Sequence, residues 1–280
     1  LMALLDETTQ PPLFSFQRLP GEALAAVTFE SSQRSGSSPR LYLEVPSGRS
    51  PQEHFTSYRQ LSAHLYPPAP LPEWFKYQWL SWYVYYMDVN EDVLVRQIDQ
   101  IARHFGDLGP WHIIVDAGWY VAEGRDRSEW RSQDFEKFPH GLRWLVDYAH
   151  AKGVRVVLYF TAPYLNARQE SWDWLGLRTL AERHPEWLIP LDEEEPFDDY
   201  AYDFQNPDLR QYLQLVMRDF FHRYGVDGIK LDGLGSAGDA VLYSAEGGAF
   251  SLSDRVVGQT MEVYRFVHEE ATRFRPDAYV

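Results

Sequence analysis

From Trp74 onward the sequence alternates between short continuous apolar runs and longer amphipathic segments, and this alternation constrains the fold more than any other feature. The apolar runs have the length of strands and lack the regular polar positions of a half-exposed strand. Such runs are typical of parallel strands that are buried on both faces. They are Tyr77–Tyr86, Trp111–Val115, Val154–Phe160 and Gly228–Leu231.

The amphipathic segments carry the start and stop signals of helices. Asn90 and Asn206 can cap helices, and Pro207 fits the first position of the second one. Gly153 and Gly225 stand where helices end. The predicted helices are Asn90–Phe105, Gly141–Lys152, the segment that follows Asn206, and Ser253–Phe274. This order of strands and helices predicts an α/β fold with a parallel sheet, either a barrel or a doubly wound sheet.

Two observations favour an incomplete barrel. No glycine-rich nucleotide-binding motif follows any strand, so we prefer a (β/α)₈ TIM barrel to a doubly wound sheet. A complete barrel takes about 250 residues, and the chain offers four strands and, at Arg275–Val280, the start of a fifth. The sequence therefore predicts the first half to five-eighths of the barrel.

The region before the barrel has a different texture. It is rich in Ser, Pro and Gly, and it contains strand-length apolar segments at Leu24–Phe29 and Leu41–Val45. The segment Tyr66–Pro72 predicts a stiff, extended linker. We therefore predict two domains, with residues 1–70 in the first and residues 71–280 in the second.

Composition excludes several classes of partner. The formal net charge of −15 disfavours nucleic acid and anionic membrane surfaces, and a neutral oligosaccharide fits better. The chain has no cysteine, hence no disulfide and no thiolate metal site. It has no apolar run long enough to span a bilayer and no visible signal peptide, which favours the cytoplasm. A homo-oligomer stays open.

We expect neither a metal nor a cofactor. The acidic tract Asp192–Glu195, with Asp198 and Asp199, lacks the residue order of an EF-hand loop and is interpreted as a solvated loop. The nine histidines are scattered, and the zinc-protease pattern H-E-x-x-H is absent.

The fourth predicted strand ends in the strongest candidate for chemistry. Alternation places Lys230 and Asp232 on the same side of the strand, at the end where barrel enzymes carry their active sites. A carboxylate beside a cation stays ionised at neutral pH and can attack an anomeric carbon. A structural Lys–Asp ion pair is the alternative interpretation.

A second candidate follows the strand Trp111–Val115. There Asp116 can accept hydrogen bonds from sugar hydroxyls, and Trp119 can stack on a ring face. The alternative is an aspartate that caps the loop beside a packed tryptophan.

Six segments together resemble the α-galactosidases of glycoside hydrolase family 36, in clan D. The segments, in chain order, are Ser81–Asp88, Asp116–Trp119 (D-D-G-W in the family), Phe138–Phe160 (F-P-x-G-L…H-x-x-G), His184–Trp187, Asp203–Pro207 and Lys230–Asp232 (K-W-D). The resemblance covers roughly residues 75–235. It implies that residues 1–70 are the tail of the β-sandwich domain that precedes the family's barrel.

The resemblance also implies roles for individual residues. Asp232 matches the nucleophile of a retaining α-glycosidase that works by double displacement without a cofactor. Lys230 and Asp116 would hydrogen-bond the sugar, while Trp82 lines the pocket and Tyr159 belongs to the same subsite. The acid/base residue comes from a later strand of the family's barrel, so we expect it beyond Val280 and expect this chain alone to be inactive.

Three departures from the family concern the sugar rather than the nucleophile. Ala117 replaces the second aspartate of D-D-G-W, Tyr159–Pro163 replaces W-x-E-P-E, and no arginine occurs around Phe197–Tyr202. The resemblance therefore leaves three alternatives to an α-galactosidase open: an α-glucosidase, a galactosyl transferase of related fold, and a non-catalytic carbohydrate-binding protein.

Overall fold

The computed structural model describes residues 2–4, 13–18, 25–30, 41–43, 50–65, 71–120, 129–161, 164–166, 184–190, 199–232 and 254–280. Contacts between Cα atoms divide the chain into two compact units. One comprises Leu1–Pro70 and Ser253–Gly258, and the other comprises Leu71–Leu252 and Gln259–Val280.

The strands of the described residues are β1 Met2–Leu4, β2 Leu13–Arg18, β3 Ala25–Glu30, β4 Leu41–Leu43, β5 Tyr77–Leu80, β6 Trp111–Val115, β7 Val154–Thr161, β8 Tyr164–Asn166, β9 Leu188–Pro190, β10 Asp199–Tyr202 and β11 Gly228–Asp232. The α-helices are α1 Pro51–Leu65, α2 Trp82–Tyr85, α3 Glu91–His104, α4 Leu142–Ala151, α5 Pro207–Arg218 and α6 Asp254–Phe274. A π-helical turn, Asp219–Tyr224, extends α5.

The second unit is built on a four-stranded parallel sheet in the order β5–β6–β7–β11. The order follows the chain, with helices α3, α4 and α5 in the connections. At its far edge, Tyr279 forms a parallel bridge with Gly228, and the amide of Ile229 donates to the Tyr279 carbonyl at 2.7 Å. The predicted parallel α/β half-barrel is confirmed.

The two faces of this sheet carry separate apolar clusters. Ile113 and Val115 of β6 pack in the larger cluster with the apolar stripes of the helices. Ile114, which points the opposite way, packs with Val157 and Trp74 in a smaller cluster. We call this second face the inner face.

Helix boundaries follow the predicted signals closely. The side chain of Asn90 accepts a hydrogen bond from the Val93 amide at 3.0 Å and begins α3. Asn206 accepts from the Asp208 amide at 2.9 Å and begins α5, with Pro207 at its first position. Gly225 ends the π-helical turn in the left-handed conformation, at φ 79°.

The first strand is shorter than predicted. It ends at Leu80, whereas the sequence predicted a strand that continues to Tyr86. From Ser81 the chain turns into α2 and then a 3₁₀ turn at Tyr86–Asp88, because the Tyr85 amide donates to the Ser81 carbonyl at 3.0 Å. Aromatic and β-branched residues favour strands by propensity, but Tyr83 here is 77% exposed.

The first unit contains two antiparallel strand pairs, β1–β4 and β2–β3. It also contains α1, which the sequence analysis did not predict. Ser50 and Glu53 form a reciprocal capping box at its start: the Ser50 amide donates to Glu53 Oε2 at 2.6 Å, and the Glu53 amide donates to Ser50 Oγ at 3.3 Å. The β-sandwich origin of this unit stays a prediction.

Candidate active site

Three neighbouring strands place three polar side chains in one row at the carboxyl end of the sheet. Asp116 follows Val115, which pairs with Leu158, and so Asp116 lies beside Tyr159. Tyr159 in turn pairs with Lys230 on β11. Because alternate residues of a strand share a face, Asp232 lies on the same face as Lys230.

Lys230 connects Asp116 to Asp232. Its ammonium Nζ lies 2.7 Å from Asp116 Oδ2 and 3.1 Å from Asp232 Oδ2. The same ammonium lies 5.3 Å from the centre of the Tyr159 ring, a cation–π distance. A lysine on one strand thus reaches across the middle strand to a carboxylate two strands away.

The ammonium is partly buried, and two opposing effects set its pKa. Burial by itself lowers the pKa of Lys230, but the hydrogen bond to Asp116 and the charges of Asp116 and Asp232 raise it. The net effect holds the pKa above its ordinary value. Lys230 is therefore a fixed positive charge at neutral pH.

Hydrogen bonds fix both the backbone amide and the carboxylate of Asp116. Its amide donates to Ser81 Oγ at 3.0 Å, and its carboxylate Oδ1 accepts from the Ala117 amide at 2.8 Å. Only 2% of its side chain is exposed. These contacts fix the orientation of the Asp116 carboxylate before any ligand arrives.

Asp232 is placed differently from Asp116. It is the last residue of β11, and 50% of its side chain is exposed. A carboxylate that is half exposed and adjacent to a fixed cation is accessible to a ligand, whereas Asp116 is enclosed.

The turn after β6 requires glycine at position 118. Gly118 has φ 109°, and a Cβ there would lie 2.8 Å from the Met87 carbonyl oxygen. Only glycine combines this backbone conformation with so close an approach. The turn therefore packs directly against the segment that follows β5.

The two tryptophans predicted for this site lie in different environments. Trp119 is fully buried, and its indole N–H donates to the Tyr159 carbonyl at 3.1 Å. It has no exposed face for a sugar ring, which corrects the prediction of stacking and favours the alternative of a packed tryptophan. Trp82 is half-buried and contacts Tyr86 edge to face, with ring centres 5.2 Å apart.

Among the described residues, no group of three metal-ligating side chains comes together. The acidic tract Asp192–Glu195 and Asp198 lie outside the described residues, as do Ala162 and Pro163. Within the part of the chain that is described, no helix has the length and hydropathy needed to cross a bilayer.

The family model for melibiase matches residues 79–276, well over half of the chain. The chain belongs to the melibiase family. Asp116, Tyr159, Lys230 and Asp232 all lie inside the matched residues.

Individual relatives agree with this family membership. The chain is 24% identical over 203 residues to α-galactosidase Mel36A of Lactobacillus acidophilus, and the match covers 70% of this chain and 25% of the relative. It is 33% identical over 85 residues to an α-galactosidase of Torulaspora delbrueckii, covering 30% of this chain and 18% of the relative. The chain thus spans about a quarter or less of the length of these two relatives.

A solved structure supports the fold. The α-galactosidase of Thermus thermophilus, in complex with p-nitrophenyl α-D-galactopyranoside, superimposes with a TM-score of 0.54 at 22% identity. The match covers 79% of this chain and 40% of the Thermus chain. The predicted family resemblance and α/β barrel architecture are confirmed.

Two residues that hold the site in place were missed from sequence. Ser81 orients Asp116, and its signal is a small polar residue inside a largely apolar run. Lys137 contacts the loops after β5 and β6. It binds backbone carbonyls, which leave no signature in a sequence.

Proposed function

We propose that this melibiase-family chain carries the nucleophile and part of the sugar pocket of a retaining α-glycosidase, most closely an α-galactosidase. One observation carries the proposal: Lys230 is shared between an enclosed carboxylate, Asp116, and a half-exposed one, Asp232. Both carboxylates lie at the carboxyl end of parallel strands, where barrel enzymes carry their active sites.

Asp232 is the nucleophile in this proposal. One of its carboxylate oxygens attacks the anomeric carbon, and the bond from that carbon to the leaving oxygen breaks. A second carboxylic acid protonates the leaving oxygen, which gives a covalent glycosyl-enzyme. Water then attacks the anomeric carbon, loses its proton to the second carboxylate and releases the sugar with its configuration retained.

The second carboxyl group in this reaction is not Asp116. Asp116 is enclosed, and its two oxygens are engaged by Lys230 and by the Ala117 amide. Its proposed role is to fix the Lys230 ammonium and to accept a hydrogen bond from a sugar hydroxyl. The prediction that the acid/base residue lies beyond Val280 stays a prediction.

Lys230 has two functions in the proposal. Its ammonium holds the carboxylate of the nucleophile, with Nζ 3.1 Å from Asp232 Oδ2. An ammonium carries three N–H donors, so it can bind both carboxylates and still donate to a sugar hydroxyl.

Galactose is the proposed sugar because the relatives above are α-galactosidases, and the Thermus relative is in complex with an aryl α-galactoside. Glucose is the second candidate, and Ala117 is the observation that favours it. Ala117 stands where the family has an aspartate, and its side chain is 2% exposed within the larger apolar cluster. This position therefore supplies no carboxylate to a ligand.

The test follows hydrolysis by NMR. The natural polypeptide that carries this chain is mixed with p-nitrophenyl α-D-galactopyranoside or its α-glucoside, and the anomeric signals of the released sugar are recorded at early times. Initial release of the α-anomer from the galactoside supports the proposal. Faster release from the glucoside would mean that glucose is the preferred sugar. Initial release of the β-anomer would contradict a retaining mechanism. Tight binding of the sugar without hydrolysis would indicate a carbohydrate-binding protein.

A further inference from the structure

Lys137 lies on a tight turn that several hydrogen bonds hold in place. The Asp134 amide donates to the Trp119 carbonyl at 2.9 Å, and the Glu91 amide donates to the Lys137 carbonyl at 2.9 Å. The next residue, Phe138, is fully buried. The backbone of Lys137 is therefore anchored both to the turn after β6 and to the start of α3.

The ammonium of Lys137 joins two loops. Its Nζ donates to the Met87 carbonyl at 2.8 Å and to the Gly118 carbonyl at 3.3 Å. Met87 belongs to the segment that leads away from Trp82, and Gly118 belongs to the turn that begins with Asp116. We call Lys137 with these two carbonyls the loop tie.

The loop tie acts where the two loops already touch. Gly118 packs against the backbone of Met87 so closely that a Cβ would lie 2.8 Å from the Met87 carbonyl oxygen. Both carbonyl oxygens lie within 3.3 Å of the Lys137 ammonium, so this cation offsets the repulsion between them.

One side of the segment held by the tie is exposed to solvent. Tyr83, Val84 and Tyr86 are 77%, 66% and 55% exposed. Tyr86 has φ 45°, an uncommon conformation for a residue with a side chain. Trp82, Tyr85 and Met87 pack against the core from the other side of the segment, and the tie adds a polar anchor at Met87.

We propose that Lys137 is a positioning residue: it ties the loop that carries Trp82 to the turn that carries Asp116, and thereby sets the affinity of the site for the sugar ring. The inference rests on the proposed function, because it takes Trp82 and Asp116 as walls of the same sugar pocket. Lys137 itself contacts backbone carbonyls of the loops and takes no part in the chemical step.

The decisive variants are Lys137→Met, which keeps the apolar stem and removes the donors, and Lys137→Arg, which keeps charge and donors. Lys152→Met is the matched control, because Lys152 Nζ pairs with Asp99 on the helical surface, at 3.0 Å. The readouts are KM and kcat for p-nitrophenyl α-D-galactopyranoside, and amide hydrogen exchange over residues 82–88.

We expect Lys137→Met to raise KM about tenfold, the loss typical of one charged hydrogen bond. We expect kcat to change less than about threefold, because a pocket wall binds the ground state and the transition state alike. Exchange over residues 82–88 should be faster in this variant. Lys137→Arg should restore most of the lost affinity, and Lys152→Met should leave KM, kcat and exchange unchanged.

Two results overturn the inference: an unchanged KM in Lys137→Met, or a KM that Lys137→Arg fails to restore although the protein is folded. If the wild-type polypeptide hydrolyses no α-glycoside, the proposed function fails separately. Hydrogen exchange then decides on the tie, since unchanged exchange over residues 82–88 in Lys137→Met contradicts it and faster exchange supports it.

Discussion

Strand β11 is flanked by two aspartates whose surroundings differ in nearly every respect. Asp227 immediately precedes the strand and Asp232 ends it, so they mark the amino and carboxyl ends of the same sheet. The side chain of Asp227 is completely buried, whereas that of Asp232 is 50% exposed.

The Asp227 carboxylate is bound by protein donors on both of its oxygens. The partners of Asp227 are three side chains and one backbone amide: His150 Nε2 at 2.7 Å, Arg155 at 2.8 Å, Arg275 at 2.7 Å and the Val156 amide at 2.8 Å. Burial by itself raises the pKa of Asp227, but the hydrogen bonds from His150 and Val156 and the charges of His150 and Arg275 bring the pKa below its ordinary value.

This difference teaches how to distinguish a structural carboxylate from a reactive one in a barrel of this kind. Asp227 accepts four hydrogen bonds, two on each oxygen, and has no lone pair left for a substrate. Asp232 shares one cation with Asp116 and keeps an exposed side chain. The Asp232 carboxylate is therefore paired with a cation and still accessible to solvent.

The largest expected effect is on activity at the carboxyl end. Asp232→Asn should lower kcat/KM for an α-glycoside by at least about a thousandfold, because an amide cannot form the covalent intermediate. Its free energy of unfolding should change by less than about 1 kcal/mol, since the side chain is half exposed. Enzyme kinetics and denaturant unfolding measure the two quantities, and a stable variant with near-normal activity would remove Asp232 from the mechanism.

The next effect is on stability at the amino end. Asp227→Asn should lower the free energy of unfolding by about 3–5 kcal/mol, because it removes the buried carboxylate that binds three side chains and turns one of its oxygens into an amide NH2 that faces N–H donors. Denaturant unfolding followed by tryptophan fluorescence measures the change. A loss no greater than that of Asp232→Asn would erase the contrast between the two aspartates.

A third effect concerns pH. His112 is 1% exposed, stacks on Phe75 at 4.7 Å, and has no hydrogen-bond partner for either ring nitrogen among the described residues. Burial lowers the pKa of His112 to about 4, from 6.5, although the charge of Asp227 opposes this shift. The unfolded chain therefore takes up a proton in a pH range where the folded protein does not.

Above pH 6.5, His112 is neutral in both the folded and the unfolded chain. As the pH falls from 6.5 towards 4, proton uptake by the unfolded chain lowers the free energy of unfolding by about 3 kcal/mol in total. Unfolding measured across this range should show a weaker pH dependence in His112→Phe, which keeps an aromatic ring against Phe75. The exposed residue His104 supplies the control, since His104→Phe should keep the dependence of the wild type. An unaltered slope in His112→Phe would assign the effect to other groups.

The smallest expected effect distinguishes the cost of a strained backbone conformation from the cost of a close contact with a neighbouring segment. Gly118→Ala should lower the free energy of unfolding by about 1–3 kcal/mol and displace the Met87 segment, because strain and the contact with the Met87 carbonyl act together. Gly153 also has a positive φ, 76°, but nothing lies within 4 Å of its Cβ position. Unfolding of Gly153→Ala should therefore show the smaller loss, and equal losses would mean that the contact contributes nothing.

The sequence predicted the parts of this molecule that depend on local signals. Asn90, Asn206 and Pro207 mark helix starts because a cap uses residues within one turn of each other. The common side of Lys230 and Asp232 followed from the alternation of a strand, and the structure places the Lys230 ammonium 3.1 Å from the Asp232 carboxylate.

The remaining features depend on contacts between distant segments. Trp119 follows a strand end as a sugar-stacking residue would, but its burial results from packing against residues such as Phe220, a hundred positions away. The turn at Ser81 interrupts a run with high strand propensity. The capping box of Ser50 and Glu53 was a local signal, and it could have been recognised from the S-x-x-E pattern.

The most direct test of the account is covalent labelling of the nucleophile. The natural polypeptide that carries this chain is incubated with an α-galactose-configured mechanism-based inactivator, digested and analysed by peptide mass spectrometry, with a glucose-configured inactivator in parallel. The account predicts label on the peptide that contains Asp232 and none in Asp232→Asn. Label on another residue, or no label from either inactivator on folded protein, would contradict it.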